Sequence, residues 1–299
     1  MSLALLGPLS ASAQAPVFSA GTSLVVLSAT AVDGRGRPVR DLKADEVRVY
    51  DEGQPQKLLR FSHGRDAAAR VLLLIDASGS MSQELKSASV RMAVLQLLAA
   101  LPAQDEVGVA GFDQAYRSLQ AFTLDRAAVQ GALDRLAPFG STALHDAVRQ
   151  ATDALASSGD GRRAVVVITD GLDTASRNTP DEVIARAKAI DVPVYTIAIV
   201  SPLDDPASSH YSKRAAAPAS LTGASALKRY AEMSGGAAFT VSEFRELKSA
   251  VDTIASELSF QYRLGYEPPE GQAGFRRLEV RTTRKGVVLR SRRGYVPLS

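Results

Sequence analysis

Short apolar runs with no polar residue in them constrain this chain more than any other feature. Val71 to Ile75 and Ala164 to Ile168 are such runs, and residues 192–200, mostly apolar but holding Thr196, predict a third buried strand. A strand that does not alternate must be covered on both faces, as in a parallel sheet packed between helices. Segments of helical period separate these runs. Leu85, Ala88, Met92, Leu95 and Ala99 recur at spacings of 3 and 4 and predict an amphipathic helix. Residues 125–136 and 143–155 predict two more helices, and residues 107–112 and 237–241 predict strands. Thr179-Pro180-Asp181-Glu182 combines a capping box with proline at the first helical position. Residues 227–234 predict a short helix stopped by Gly235 and Gly236, and Phe244, Leu247, Val251, Ile254 and Leu258 mark a last helical stripe. Strands alternating with helices over 70–258 imply an α/β domain with a doubly wound, mainly parallel sheet.

Both ends of the chain show a β pattern instead. Residues 24–32 are rich in β-branched and apolar side chains and run into Asp33-Gly34, a tight-turn dipeptide. Residues 46–50 alternate, with Val47 and Val49 on one face, and Asp51-Glu52-Gly53 turns the chain towards a return strand at 57–61. Strands are also expected at 260–266, 277–282 and 287–291, separated by Pro268-Pro269 and Lys285-Gly286. Neither β section is large enough for a core of its own. The expected solution is one β-sandwich built from residues 16–69 and 259–299, with the 70–258 domain inserted between them.

Composition narrows the chemistry. The 299 residues are 45% hydrophobic and 22% charged, an ordinary globular mix. No apolar stretch approaches the roughly 20 residues of a membrane helix. Cysteine is absent, which excludes disulfides, thiolate metal sites and a cysteine nucleophile. With 3 histidines, a multi-histidine zinc site is not expected. The net charge of +3 is uneven: Arg276 to Arg293 holds eight basic residues and one acid, Glu279, so the remainder is net acidic. A uniform nucleic-acid-binding surface is therefore not indicated. The basic segment reads as the solvated face of exposed strands, with an anionic partner as the alternative. Residues 1–15, MSLALLGPLSASAQA, resemble the end of a secretory signal peptide, with Ala11-Ser12-Ala13 or Ala13-Gln14-Ala15 as a cleavage site. The expected location is secreted, periplasmic or cell-envelope.

The chemistry concentrates after the first apolar run, which ends Ile75-Asp76-Ala77-Ser78-Gly79-Ser80 before a helix. Ligands of open α/β sheets bind outside the carboxyl ends of the strands. The second run reaches the same edge at Thr169-Asp170-Gly171, and Gly140-Ser141-Thr142 opens a helix there. Asp76, Ser78, Ser80, Thr142 and Asp170 thus form a set of two carboxylates and three hydroxyls. Hard oxygens of this kind suit Mg²⁺, or Mn²⁺ or Ca²⁺. A helix cap at a strand–helix turn explains any one of these loops. It does not explain three with matched chemistry. Asp173 is either a residue behind the ligands or a turn residue, and Asp113 is read as a turn residue.

Asp76-x-Ser78-x-Ser80 resembles the DxSxS motif of von Willebrand factor type A domains, and Thr142 and Asp170 match that family's second and third adhesion-site loops. The resemblance implies Ser78, Ser80 and Thr142 as direct ligands of a magnesium-type ion, with Asp76 and Asp170 direct or through water. It also implies a protein partner that offers an acidic residue to the metal. The flanks are similar to a narrower VWFA-related family described from Acidobacteria. Those matching stretches are Leu24-Val-Val26 with Val32-Asp-Gly34, residues 45–53, residues 262–266 and Arg293-Gly-Tyr295.

The function expected is an exported, metal-ion-dependent protein-interaction module, not an enzyme. There is no G-x-S-x-G elbow and no P-loop. An aspartyl phosphatase would need an Asp where Ser78 stands. His145 reads as a packing residue rather than a proton donor, and His63 and His210 have no companions in the sequence. A cytoplasmic chelatase- or chaperone-type binding subunit, a metal-dependent hydrolase and a purely structural envelope protein are the alternatives. Ser201 to Ala226 lacks sustained periodicity and carries three prolines. It is the candidate partner-binding loop, because it leaves the sheet at the edge that holds Asp76 and Asp170.

Overall fold

The computed structural model describes residues 24–64, 68–82, 84–156, 161–189, 191–200, 218–269 and 274–297. The expected signal segment 1–15 lies outside them, as do His210 and the first part of the candidate loop, residues 201–217. The N-terminal strands are β1 (Val25–Asp33), β2 (Val47–Asp51), β3 (Gln54–Gln56) and β4 (Arg60–Gly64). There follow β5 (Ala69–Asp76), α1 (Glu84–Ala100), β6 (Glu106–Phe112), β7 (Tyr116–Thr123), α2 (Arg126–Leu133) and α3 (Leu144–Ala156). Next come β8 (Arg162–Thr169), α4 (Pro180–Ala189), β9 (Val194–Ile199), α5 (Pro218–Ser234), β10 (Ala238–Val241) and α6 (Phe244–Leu258). The chain closes with β11 (Gln261–Tyr266), β12 (Arg276–Thr282), β13 (Val287–Ser291) and β14 (Gly294–Tyr295).

The central sheet has the order β10-β9-β8-β5-β6-β7 among the described residues. All its pairings are parallel except β7 on β6. The apolar runs explain why it lies in the middle of the domain. Val71, Leu73 and Ile75 pack on one face with Val94 and Leu97 of α1 and Val251 and Ile254 of α6. Leu72 and Leu74 pack on the other face with Leu144 and Val148 of α3, Val183 of α4 and Tyr230 of α5. From β5 the chain goes to β6 on one side, and β8 returns on the other. The carboxyl ends of β5 and β8 therefore flank the topological switch point, where such sheets bind ligands.

The terminal strands form two antiparallel sheets, β13-β1-β11-β4 and β14-β12-β2-β3. Each mixes both ends of the chain: β1 pairs with β11 and β13, and β2 pairs with β12. Alternate residues face a shared core, among them Leu27, Val47, Val49, Tyr262, Leu264, Val280 and Leu289. Asp51 is fully buried there. One oxygen accepts from Arg276 Nε at 2.8 Å, and the other from Tyr266 at 2.8 Å and Tyr295 at 2.9 Å.

Several expectations are corrected. The helix α1 is where it was expected, but its inner face is not the stripe of Ala88, Met92, Leu95 and Ala99. Met92 and Leu95 are 42% and 37% exposed, whereas Val90, Ala93, Val94, Leu97 and Leu98 are buried. A helix apolar on two faces gives no unique inner stripe, and the neighbours decide. The return strand after Asp51-Glu52-Gly53 is the short Gln54–Gln56, and the chain then crosses to the other sheet as β4, so 57–61 is not one strand. The edge strand β7 has no sequence signal, because its residues are half-buried without clean alternation.

Residues 218–226 of the expected loop are helical. Pro218 starts α5 at the position where proline is tolerated, and alanines and leucines carry it to Ser234. Gly235, at φ +90°, ends this helix against the C-terminal strands: a Cβ there would meet the Ser291 backbone at 2.7 Å.

The basic segment is not simply a solvated face either. Arg276 and Arg292 are buried, Arg290 pairs with buried Glu257 of α6, and Arg284 bonds Asp41 and Glu46. Beside Arg292, Asp191 accepts from the Ser28 backbone and hydroxyl at 3.1 Å, with Arg292 Nε at 3.8 Å. The Arg290–Glu257 pair and the contacts of Asp191 tie the sandwich to the inserted domain.

Candidate functional site

Three loops meet at the carboxyl ends of β5 and β8. Asp76 is the last residue of β5, and its side chain turns back on its own loop. Oδ1 accepts from the Ser78 amide at 2.8 Å, and Oδ2 accepts from the Thr169 hydroxyl, at the end of β8, at 2.6 Å. Ser78 is buried, with its hydroxyl 3.0 Å from that of Ser80. The second loop is held by its backbone: Phe139 N donates to Ala77 O at 2.9 Å and Gly79 N to Gly140 O at 3.0 Å. Gly140 has φ +79° and Gly171 has φ +84°, a conformation glycine adopts without penalty, and each turns its loop at the sheet edge. Thr142 is buried. Its amide donates to Thr174 Oγ1 at 2.9 Å, and its carbonyl accepts from the Thr174 and Ala175 amides. Asp170 Oδ1 accepts from Leu172 N at 3.3 Å, and Oδ2 accepts from Lys86 Nζ at 2.8 Å.

The geometry thus links the Asp76 loop directly to the loops of Thr142 and Asp170. Two buried carboxylates so arranged are electrostatically unfavourable alone. Burial pushes the Asp76 carboxyl up to about 6, against the hydrogen bonds of Thr169 and Ser78, and the Asp170 charge adds to the rise. Among the described residues no three His, Asp or Glu side chains gather into a metal-holding cluster. The donors are instead two Asp and three hydroxyls, a set that fits a small hard dication retaining some of its water.

Other sequence candidates lie apart from the five. Asp173 turns to the start of α3: Oδ1 accepts from Ser176 at 2.6 Å, and Oδ2 lies 3.8 Å from His145 Nε2. Ser176 in turn accepts from the His145 and Asp146 amides, so this loop caps α3 from a distance. His145 is buried and its Nδ1 lies 2.7 Å from the Tyr230 hydroxyl, a packing role. Asp113 closes a turn with Arg117 at 2.5 Å. His63 does have companions, the rings of Phe61, Phe260 and Tyr262.

Sequence reasoning missed three residues at this edge. Thr169 was legible as a hydroxyl next to Asp170. Lys86 gave no signal, because its partner is 84 positions away. Phe139 precedes the Gly140 turn and is 79% exposed, beside the loop that carries Thr142.

Residues 71–172 match the model of the von Willebrand factor type A domain, so the segment holding all five candidate ligands is a domain of that family. A conserved hypothetical protein, BatB, from Bacteroides thetaiotaomicron shares 19% identity with a TM-score of 0.51, over 64% of this chain and 98% of that one. An aerotolerance-related membrane protein from Bacteroides fragilis shares 20% identity with a TM-score of 0.50, over 64% of this chain and 98% of that one. A von Willebrand factor type A protein from Catenulispora acidiphila shares 13% identity with a TM-score of 0.50, over 85% of this chain and 75% of that one. At such identities the likeness is one of fold. No curated protein matches the chain. No described helix is long and apolar enough to cross a membrane.

Proposed function

We propose that this protein is an exported protein-interaction module whose binding depends on a divalent ion. The von Willebrand factor type A domain points to protein interaction as the coarse function. The single observation that supports the finer reading is the joining of the Asp76, Thr142 and Asp170 loops at the switch point, with oxygen donors only. Ser78, Ser80 and Thr142 would hold a Mg²⁺-type ion directly, and Asp76 and Asp170 directly or through water. The ion would supply a coordination position that a carboxylate of the partner fills. The sheet and its two helical layers keep the donors fixed, so that little ordering is left for the moment of binding. Phe139, exposed beside the second loop, offers an apolar contact at the rim.

The test is metal-dependent capture. Purified protein on a resin should retain a partner from envelope extract in Mg²⁺ and release it in EDTA, and the Asp76→Ala protein should retain nothing in either. Retention that ignores both EDTA and the substitution would contradict the reading. Fractionation tests export, because detection in the cytoplasm alone would favour a chelatase-type subunit.

A further inference from the structure

We infer that Lys86 is a tethered cation that competes with the metal for Asp170, so that loading this site is an exchange of one cation for another. The inference rests on the metal-site reading and deepens it. Lys86 Nζ lies 2.8 Å from Asp170 Oδ2, and the two side chains are only 17% and 5% exposed. It is therefore not one of the screened surface pairs that contribute little. Its position runs against local preference. Lys86 stands in the first turn of α1, at the positive end of the helix dipole, where an acid is favoured and a lysine is not. A residue that breaks a local rule at a functional edge signals a requirement of the site. Here the requirement is charge: Asp170 adds to the rise of the buried Asp76 carboxyl, and the ammonium supplies one positive charge to Asp170.

A dication held by the five oxygens would lie within a few ångströms of the Asp170 carboxylate. An ammonium bonded to the same carboxylate repels it, and the site gains little from holding both. The ammonium is carried on a flexible four-carbon stem and can swing to solvent. The measured affinity is then the intrinsic one reduced by the fraction of molecules in which Lys86 has left. A partner carboxylate arriving at the metal also meets the released ammonium nearby, so metal and partner favour the same arrangement of Lys86.

The experiment titrates Mg²⁺ and Mn²⁺ by calorimetry into the full chain as wild type, Lys86→Met and Lys86→Arg. Lys86→Met should bind about 5- to 150-fold more tightly than wild type, the usual span of a coupling between two sites. Lys86→Arg, which keeps the charge, should not tighten binding as Lys86→Met does. Binding by Lys86→Met but not by wild type supports the exchange as well. Equal affinity in wild type and Lys86→Met overturns the exchange and leaves the metal site standing. Absence of binding in all the proteins overturns the metal site and the exchange together. Should Lys86→Met not fold, Lys86→Gln is read in the same way. In wild type the ¹³Cε resonance of Lys86 should move towards the solvent-exposed lysine position as Mg²⁺ is added. A resonance unmoved at saturation overturns the exchange.

Discussion

Asp51 in the sandwich and Asp76 at the sheet edge are both buried carboxylates, yet their surroundings differ. Asp51 meets the Arg276 guanidinium on one oxygen and two tyrosine hydroxyls on the other. Asp76 meets an amide and a threonine hydroxyl and has a second acid, Asp170, close by. Asp51, from the N-terminal section, is compensated by residues of the C-terminal section, so the cluster fastens the sandwich. The Asp76 pair has excess negative charge, with its carboxyl raised to about 6, and such a pair suits a cation. A buried acid is thus a fastener or a site according to what satisfies it.

The largest effect should come from separating the two chain ends that Asp51 joins. Residues 24–64 made alone should be unfolded, because β1 and β4 pair with β11, and β2 pairs with β12. Circular dichroism and a collapsed amide NMR spectrum would show it, whereas a dispersed spectrum would mean that the sandwich does not need both ends. Next in size is Asp51→Ala in the full chain. It leaves the Arg276 charge buried and should cost about 3–5 kcal/mol in urea unfolding. A loss below about 1 kcal/mol would demote the cluster from fastener to bystander.

On the other side of the comparison, Gly171→Ala forces a side chain into the positive-φ turn beside Asp170. It should cost about 1–2 kcal/mol and weaken Mg²⁺ binding. Unchanged stability and affinity would show that the turn does not set the site.

The smallest effect is a pH dependence at His145. Burial lowers its pKa below the ordinary value of 6.5, against Asp173 and Asp146, which favour the charged ring. The folded state thus binds fewer protons than the unfolded chain, and the stabilising contribution is present above about 6.5 and is lost as pH falls through the lower folded value. His145→Gln should flatten that slope in melting temperatures taken between pH 7 and 5. An unaltered slope would assign the acid sensitivity to other groups.

The architecture was legible wherever burial is two-sided. Val71 to Ile75 and Ala164 to Ile168 can only be central strands, and the capping box at Thr179 forms as expected, with Thr179 N donating to Glu182 at 2.7 Å. The edge strand β7 was not legible, because a half-buried edge imposes no pattern. Nor was the inner face of α1, because Met92 and Leu95 are as apolar as the residues that do pack inward. The meeting of the loops that carry the five candidate residues was legible because each follows an apolar strand or opens a helix, and sequence distance does not hide that. Lys86 could not be named, because an ion pair across the edge leaves no local trace. The same holds for Arg290 and Arg292, whose partners lie in the inserted domain.

The central claim, a hard dication at the meeting point of the three loops, is tested most directly by anomalous scattering from crystals grown in Mn²⁺. The account predicts one manganese peak among Ser78, Ser80 and Thr142, absent in Asp76→Ala crystals. No peak there at saturating Mn²⁺, with Lys86 still on Asp170 in the Lys86-intact chain and the same loops empty in Lys86→Met, would contradict it.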